Sequence, residues 1–307
     1  MDRAKVDVVI PVYKPESQLL ELLNAILKQT YSVNRVILIN TEKDYFDEDK
    51  YLIASNIEVH HICKSEFDHG ATRNFGMTLS KADYVLMMTM DAIPYDDLLV
   101  EKLLKTFDNE QIRVGVAYAR QLPSDDCKMA EKYSRLFNYP CDSYVKTRRD
   151  LDSLGIKTYF CSDVCAMYKK SIYYRLGGFP KKIIFNEDMV YASKVINENM
   201  GVAYCAEAQV VHSHNFTIKE VFSRNFDLGV SQADYPEIFG KVKSEKEGIK
   251  LVKQTAGYLL KNGHWYEIPY MCIASAAKYL GYRKGKKYNK LTKNKILKYT
   301  SNKEYWG

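Results

Sequence analysis

Short apolar blocks alternate along this chain with stretches whose apolar positions recur every three or four residues. Val6 to Val12, Val36 to Ile39, Tyr84 to Met88 and Val114 to Ala119 read as strands, and Ile57 to Ile62 as a further short one. The run Tyr84-Val85-Leu86-Met87-Met88 has no polar break, the mark of a strand covered on both faces. Helical spacing lies between these blocks. Ser17 is placed to cap a helix carrying Leu19, Leu20, Leu22, Leu23, Ile26 and Leu27. Gly70 permits a tight turn, after which Ala71 opens a second helix. Pro94 should end any ladder, and Tyr95-Asp96-Asp97 then starts a helix with Leu98, Leu99, Leu103, Leu104 and Phe107. Strand and helix alternating through short connections predict an α/β fold with a parallel, doubly wound sheet.

From Arg120 the pattern loosens. Residues 121–156 are rich in charge and aromatic rings, with a helical patch near Lys128 to Phe137. A long irregular insertion is where a second substrate could be read, although each ring taken alone suits ordinary core. Order returns with a strand at Val164 to Tyr168, then Leu176-Gly177-Gly178-Phe179-Pro180. Phe185-Asn186-Glu187-Asp188 opens a helix that runs through Asn197. Val202 to Val211 is the last clear strand and leads into His212-Ser213-His214. Residues 247–282 read as two helices parted near Asn262-Gly263. The expected division is a catalytic domain over 1–240 and a basic helical extension over 241–307.

Charge supports that division. The chain has 307 residues and a net charge of +7. Residues 241–307 hold 16 Lys/Arg against 4 Asp/Glu, and the first 240 hold 29 against 34. A basic tail beside amphipathic helices suits peripheral contact with the anionic inner leaflet of a membrane, or else a solvated face beside a packing helix. No nucleic-acid-binding module is recognisable in it. Seven cysteines, an odd number with no Cys-x-x-Cys, predict buried free thiols in a reducing cytoplasm. The chain enters its first strand at once, so no signal peptide is expected, and Ile268 to Ala277 is too short to span a bilayer.

Three polar groups fall at element ends. Asp91 follows the Tyr84–Met88 strand, at the carboxyl edge where open α/β sheets bind ligands. Glu187 and Asp188 begin a helix. His212 and His214 project to one side if their strand persists. One carboxylate and one or two imidazoles could hold Mg²⁺ or Mn²⁺ and leave positions for phosphate oxygens. The plainer alternatives are a capping Asp, a helix start that favours acids, and a hydrogen-bonded strand end.

The ordered set Pro11-Val12-Tyr13, Phe67 to Asn74 (FDHGATRN), Thr89 to Pro94, Gly177-Gly178-Phe179, Asn186-Glu187-Asp188 and Val211 to His214 resembles the family 2 glycosyltransferases. Within that family the likeness is to bacterial rhamnosyltransferases of cell-wall and surface polysaccharide synthesis, over about residues 6–240. The resemblance implies a GT-A fold, with a mostly parallel, Rossmann-like sheet flanked by helices. It implies a nucleotide-sugar donor, dTDP-rhamnose, and a glycan acceptor carried on a polyprenyl lipid. By position it assigns Pro11, Val12 and Tyr13 to the nucleobase pocket and Arg73 to the base or phosphates. Thr89 and Asp91 stand at the family's Asp-x-Asp motif, with Asp91 facing a metal-bound diphosphate. Asp188 takes the place of the catalytic base with Glu187 beside it, and His212 or His214 that of a further metal ligand. Two departures stand out: Thr89 replaces the first Asp of the motif, and Asn40-Thr41 replace an acidic pair after the second strand.

Inverting transfer suits these groups. A base takes the acceptor's proton on one face of the anomeric carbon while the diphosphate leaves from the other. Three rival readings remain at this stage. One is a transferase of the same fold using another nucleotide sugar. The second is a non-catalytic homologue that binds polysaccharide or membrane. The third, a nucleotidyltransferase, would want a Gly-rich basic loop where Val12-Tyr13-Lys14-Pro15 stands.

Overall fold

Val6 to Ile10 are wholly sealed from solvent, and around this strand the sheet is assembled. In chain order the elements are β1 (Val6–Tyr13), α1 (Ser17–Leu27), β2 (Arg35–Thr41), α2 (Glu48–Tyr51), β3 (Ile57–Ile62), α3 (His69–Leu79), β4 (Tyr84–Met88) and β5 (Ile93–Pro94). There follow α4 (Leu99–Lys105), β6 (Val114–Leu122), α5 (Met129–Asn138), β7 (Tyr144–Lys146), α6 (Leu151–Leu154), β8 (Cys165–Lys169), α7 (Lys170–Arg175), α8 (Glu187–Asn197) and β9 (Gly201–Val211). Helices α9 (Ile218–Asp234), α10 (Pro236–Phe239), α11 (Glu245–Lys261), α12 (Ile268–Gly285) and α13 (Lys293–Tyr299) complete the chain. The computed structural model describes residues 3–240 and 245–307.

The strands form one sheet in the order β3-β2-β1-β4-β8-β6-β9-β5, with β7 paired to β9. β1 lies parallel to β2 and β4, and β6 parallel to β9. β8 enters antiparallel between β4 and β6, so the sheet is mixed. The cause lies in the insertion after β6, which returns the chain to the sheet from the opposite end. Pro94 does not end pairing. Ile93–Pro94 form a two-residue antiparallel contact with Val210 and Val211 at the sheet margin, where a missing N–H is tolerated.

Helix starts also differ from expectation. Glu16, not Ser17, precedes α1, and it makes no side-chain cap. α3 begins at His69 because Asp68 accepts from the Gly70 and Ala71 amides, both at 2.9 Å, which draws Gly70 into the first turn.

The polypeptide divides into two units. One comprises residues 1–122, 140–182 and 187–212, and holds the whole sheet. The other comprises 123–139, 183–186 and 213–307, and is helical. The boundary expected after residue 240 abuts residues outside the described ones, and these units are divided elsewhere. The helical unit has its own core, with Ile184, Phe226, Val230 and Ile296 at its centre and Phe222, Tyr299 and Trp306 against them. All seven cysteines are free; Cys127, Cys161, Cys165 and Cys205 are buried as expected, whereas Cys63, Cys141 and Cys272 are exposed. Among the described residues no helix is long and apolar enough to cross a membrane.

One turn ties α3 to the sheet unit's far side. Asn74 Nδ2 donates to Phe179 O at 3.1 Å, and its Oδ1 accepts from Tyr173 Oη at 2.5 Å and Phe179 N at 3.2 Å. The FDHGATRN and Gly-Gly-Phe stretches are therefore one hydrogen-bonded unit. Both glycines have positive φ, +73° for Gly177 and +59° for Gly178. A Cβ on Gly178 would also lie 2.8 Å from Tyr173 Cε1 and 2.9 Å from Asn74 Oδ1, whereas one on Gly177 meets nothing. Gly177→Ala should then lower stability by about 1 kcal/mol through backbone strain alone. Gly178→Ala should cost about 2–4 kcal/mol, because strain and overpacking add. Urea unfolding of the two variants checks this; equal losses would refute the contact argument.

Candidate active site

Burial of a positive charge organises the site. Arg73, on α3, has a side chain only 6% exposed. Its Nε lies 3.1 Å from Asp163 Oδ2 and its Nη1 lies 3.0 Å from Glu187 Oε1. Nη1 also donates to His69 O at 3.1 Å. The Asp163 contact is close as a charge pair without being aligned as a hydrogen bond. Arg73 was expected to meet the donor's base or phosphates; its guanidinium instead lies between two buried carboxylates.

Asp163 was not singled out in the sequence. It precedes β8 and is 3% exposed. Burial pushes its carboxyl up to about 7, against the pull of Arg73. Tyr168 Oη donates to its Oδ1 at 2.5 Å. Its own backbone N–H donates to Asp188 Oδ2 at 3.2 Å.

Asp188 is the half-buried member of the group and opens α8 with the buried Glu187. The residue before them, Asn186, has φ +66°, a conformation that turns the chain sharply into the helix. Asp188 Oδ1 accepts from Met189 N at 2.7 Å. Burial, then the negative charges of Glu187 and Asp163, hold its carboxyl well above the usual range. A carboxylate made more basic in this way takes up a proton more readily than an ordinary one. Under α8, Tyr168, Tyr173, Phe179 and Tyr191 pack ring against ring at 5.1–5.8 Å and give the acids a rigid floor.

A second constellation lies at the ends of β4 and β9. Asp91 Oδ2 is 3.5 Å from His212 Nε2. His212 is 7% exposed, and its Nδ1 lies 3.0 Å from Gln121 Oε1. The Gln121 carbonyl accepts from Nδ1 and so turns Nε2 toward Asp91. Gln121 Nε2 donates onward to Ser162 Oγ at 2.9 Å, the residue before Asp163. Gln121, also missed in the sequence, thus links this pair to the acid cluster. His214 belongs to the helical unit, with its ring 4.7 Å from that of Phe216. Within the sheet unit, Asp91 and His212 offer one carboxylate and one imidazole, donors that suit a divalent cation.

The strand ends expected to face the donor are mixed in character. Pro11 and Tyr13 are half-buried, and Tyr13 packs edge-on to Tyr45 at 5.8 Å. Val12, expected with them, directs its side chain into the core at 2% exposure. Asn40 is fully buried; its Nδ2 donates to Glu42 O at 3.0 Å and meets His61 Nδ1 at 3.0 Å. Among the described residues neither Asn40 Oδ1 nor Thr89 Oγ1 has a hydrogen-bond partner. Two rings of the irregular segment pack on rings of the sheet: the half-buried Phe160 on Tyr118 at 5.6 Å and the exposed Tyr144 on Tyr204 at 5.2 Å. Beneath them Lys146 is 1% exposed, and burial lowers its ammonium to about 7. It donates to Tyr118 Oη at 3.1 Å, to Lys157 O at 3.3 Å and to Phe160 O, which ties down the approach to Ser162 and Asp163.

Residues 7–177 match the family described as Glycosyl transferase family 2. The chain is 37% identical to the O-antigen chain rhamnosyltransferase RfbN of Salmonella typhimurium, over 99% of this chain and 96% of the relative. It is 36% identical to the O-antigen chain rhamnosyltransferase WbaN of Salmonella anatum, over 97% and 95%. Among solved structures it is similar to the mannosyltransferase PcManGT of Pyrobaculum calidifontis in complex with GDP-Man and Mn²⁺. That match has a TM-score of 0.61 and 14% identity over 94% of this chain and 89% of the other. S. aureus TarS 1–349 with UDP-GlcNAc matches at TM-score 0.52 and 15% identity, over 93% and 91%. These two likenesses bear out the GT-A fold.

Removing the cation should expose how much the acids depend on it. Arg73→Met leaves Asp163 and Glu187 without their neutralising partner and should cost about 3–5 kcal/mol in urea unfolding at neutral pH. A loss below about 1 kcal/mol would show that the cluster is hydrated rather than dry.

Proposed function

The chain belongs to glycosyltransferase family 2, and on that footing we propose that it is an inverting rhamnosyltransferase. The donor is dTDP-β-L-rhamnose and the acceptor a hydroxyl of a growing surface glycan, carried on a polyprenyl lipid at the cytoplasmic face of the membrane. The support for rhamnose is the likeness over nearly the whole chain to two relatives named as O-antigen chain rhamnosyltransferases. The observation that carries the mechanism is the half-open Asp188 carboxylate, raised in basicity by burial and by Glu187.

In this reading Asp188 accepts the proton of the acceptor hydroxyl as its oxygen attacks the anomeric carbon. The bond from that carbon to the diphosphate breaks, its electron pair leaves with dTDP, and the β-configured donor gives an α-linked product. Glu187 does not take the proton; paired with Arg73, it sets the field in which Asp188 titrates. Asp163 fixes Arg73 with its carboxylate and holds Asp188 Oδ2 with its backbone N–H. Pro11 and Tyr13 line the nucleobase pocket. Thr89 Oγ1 is available to the donor. Asp91, His212 and His214 would hold Mg²⁺ or Mn²⁺, which would neutralise charge on the departing phosphates. Gln121 keeps His212 in the tautomer that can ligate.

The test is donor turnover across a panel of nucleotide sugars, read as release of nucleoside diphosphate with lipid-linked glycan present. Release from dTDP-rhamnose alone is expected, with a loss on the order of 10² to 10⁴ in Asp188→Asn. Release from a different donor would displace rhamnose, and undiminished turnover in Asp188→Asn would displace the base. In the same preparations, titration calorimetry should find Mn²⁺ bound about 10- to 100-fold more weakly by Gln121→Leu than by the unaltered protein.

A further inference from the structure

Helix α12 has its faces reversed from those of a soluble amphipathic helix. Its small residues Ala277, Gly281 and Gly285 are buried, and α9 lies against them. A Cβ on Gly281 would strike Phe222 O, and one on Gly285 would strike Phe226 O, so two helices meet at near backbone contact. Gly229 of α9 completes the approach, with a Cβ there reaching to 2.9 Å of Lys286 N. Met271 is buried with the small residues of α12, and Ile273, Tyr279 and Leu280 are left exposed.

Those residues face solvent. Ile273 is 57% exposed and Leu280 53%, while Trp265 and Tyr266, on the turn that leads into the helix, are 67% and 60% exposed. Ile273, Leu280 and Lys287 are spaced by seven residues and so share one side of the helix and its continuation. The carboxyl end of this side is basic. Arg283, Lys284, Lys287 and Lys290, with Leu280 and Leu291, line a cavity of about 300 Å³. From residue 263 to 291 there are six Lys/Arg against one acid, Glu267, and that acid is paired with His264 at 3.1 Å.

Exposed Trp, Tyr, Ile and Leu are costly in water, and four cations around one cavity repel each other. An anionic phospholipid surface relieves both. We propose that this side of α12 is a docking face for such a surface. Trp265, Tyr266, Ile273 and Leu280 enter the boundary between headgroups and acyl chains, and the basic end takes lipid phosphates. A second copy of the chain would satisfy the apolar residues but would face one basic end with like charge or with a neutral stripe. Charge complementarity therefore selects the lipid. The proposal gives a place to the membrane contact of the proposed function, but it needs no donor, acceptor or metal to be tested.

The experiment is co-sedimentation of the full-length protein with vesicles of phosphatidylcholine alone and of phosphatidylcholine with phosphatidylglycerol. Binding to the anionic vesicles is expected, at least tenfold tighter than to the neutral ones, falling as salt is raised, with a blue shift in tryptophan emission. Ile273→Glu combined with Leu280→Glu should weaken binding at least tenfold. Lys287→Glu combined with Lys290→Glu should abolish the preference for anionic lipid. All four positions are exposed, so the urea midpoint should not move, which separates lost docking from lost folding. Equal binding to both vesicles, or binding that neither variant changes, would overturn the proposal. So would a dimer in gel filtration that the apolar variant converts to a monomer while vesicles bind nothing, since the stripe would then belong to a second copy.

Discussion

A guanidinium with almost no access to water must be neutralised by the protein around it, and Arg73 is neutralised by Asp163 and Glu187 together. Desolvating one cation and two carboxylates costs several kcal/mol per ion, so the arrangement persists only where geometry returns that cost. The return comes through anchors. Tyr168 holds Asp163, the Asp163 amide holds Asp188, and Asn74, next to Arg73 on α3, is bound to the Gly-Gly-Phe turn. The cluster keeps Asp188 fixed in place and yet basic, since the negative field that raises it comes from acids held by Arg73.

The second constellation depends on the same segment. Gln121 orients His212 on one side and bonds Ser162 on the other, so the donor set at Asp91 and the acids at α8 share a short stretch of backbone before β8. Lys146 secures the entry to that stretch through carbonyls of Lys157 and Phe160. The insertion after β6 thus contributes less as a surface of rings than as a brace. Tyr144 and Phe160 pack on rings of the sheet, Tyr133 packs on Tyr258 of α11, and Lys146, its most buried charge, holds a loop in place.

What was legible in the sequence follows from distance along the chain. Asp91 and the Glu187-Asp188 pair could be found because each sits where a local period changes, from an apolar block or into a helical repeat. The limits of β3 and β4 were readable for the same reason. Asp163 and Gln121 carry no such mark, since their significance rests on partners far away, 91 residues away in the case of Gln121 and His212. The antiparallel sense of β8 was hidden likewise, because periodicity reports burial and not direction. β7 was hidden by Lys146, a charged residue that no burial pattern would place inside. The two units interleave in sequence, so a single boundary drawn where the charge changes could not describe them. The family likeness identified Arg73 as part of the site, yet only the geometry reveals that it faces acids.

The central claim is that Glu187 raises the basicity of Asp188, and the pH dependence of kcat/KM tests it most directly. Asp188 must be ionised to act as a base, so activity falls as pH drops through its pKa. With that pKa raised, the acidic limb of the unaltered enzyme lies above the usual carboxylate range. Glu187→Gln removes the neighbouring negative charge, so the account predicts that the limb moves to lower pH. A limb that stays in place, or moves to higher pH, would contradict it.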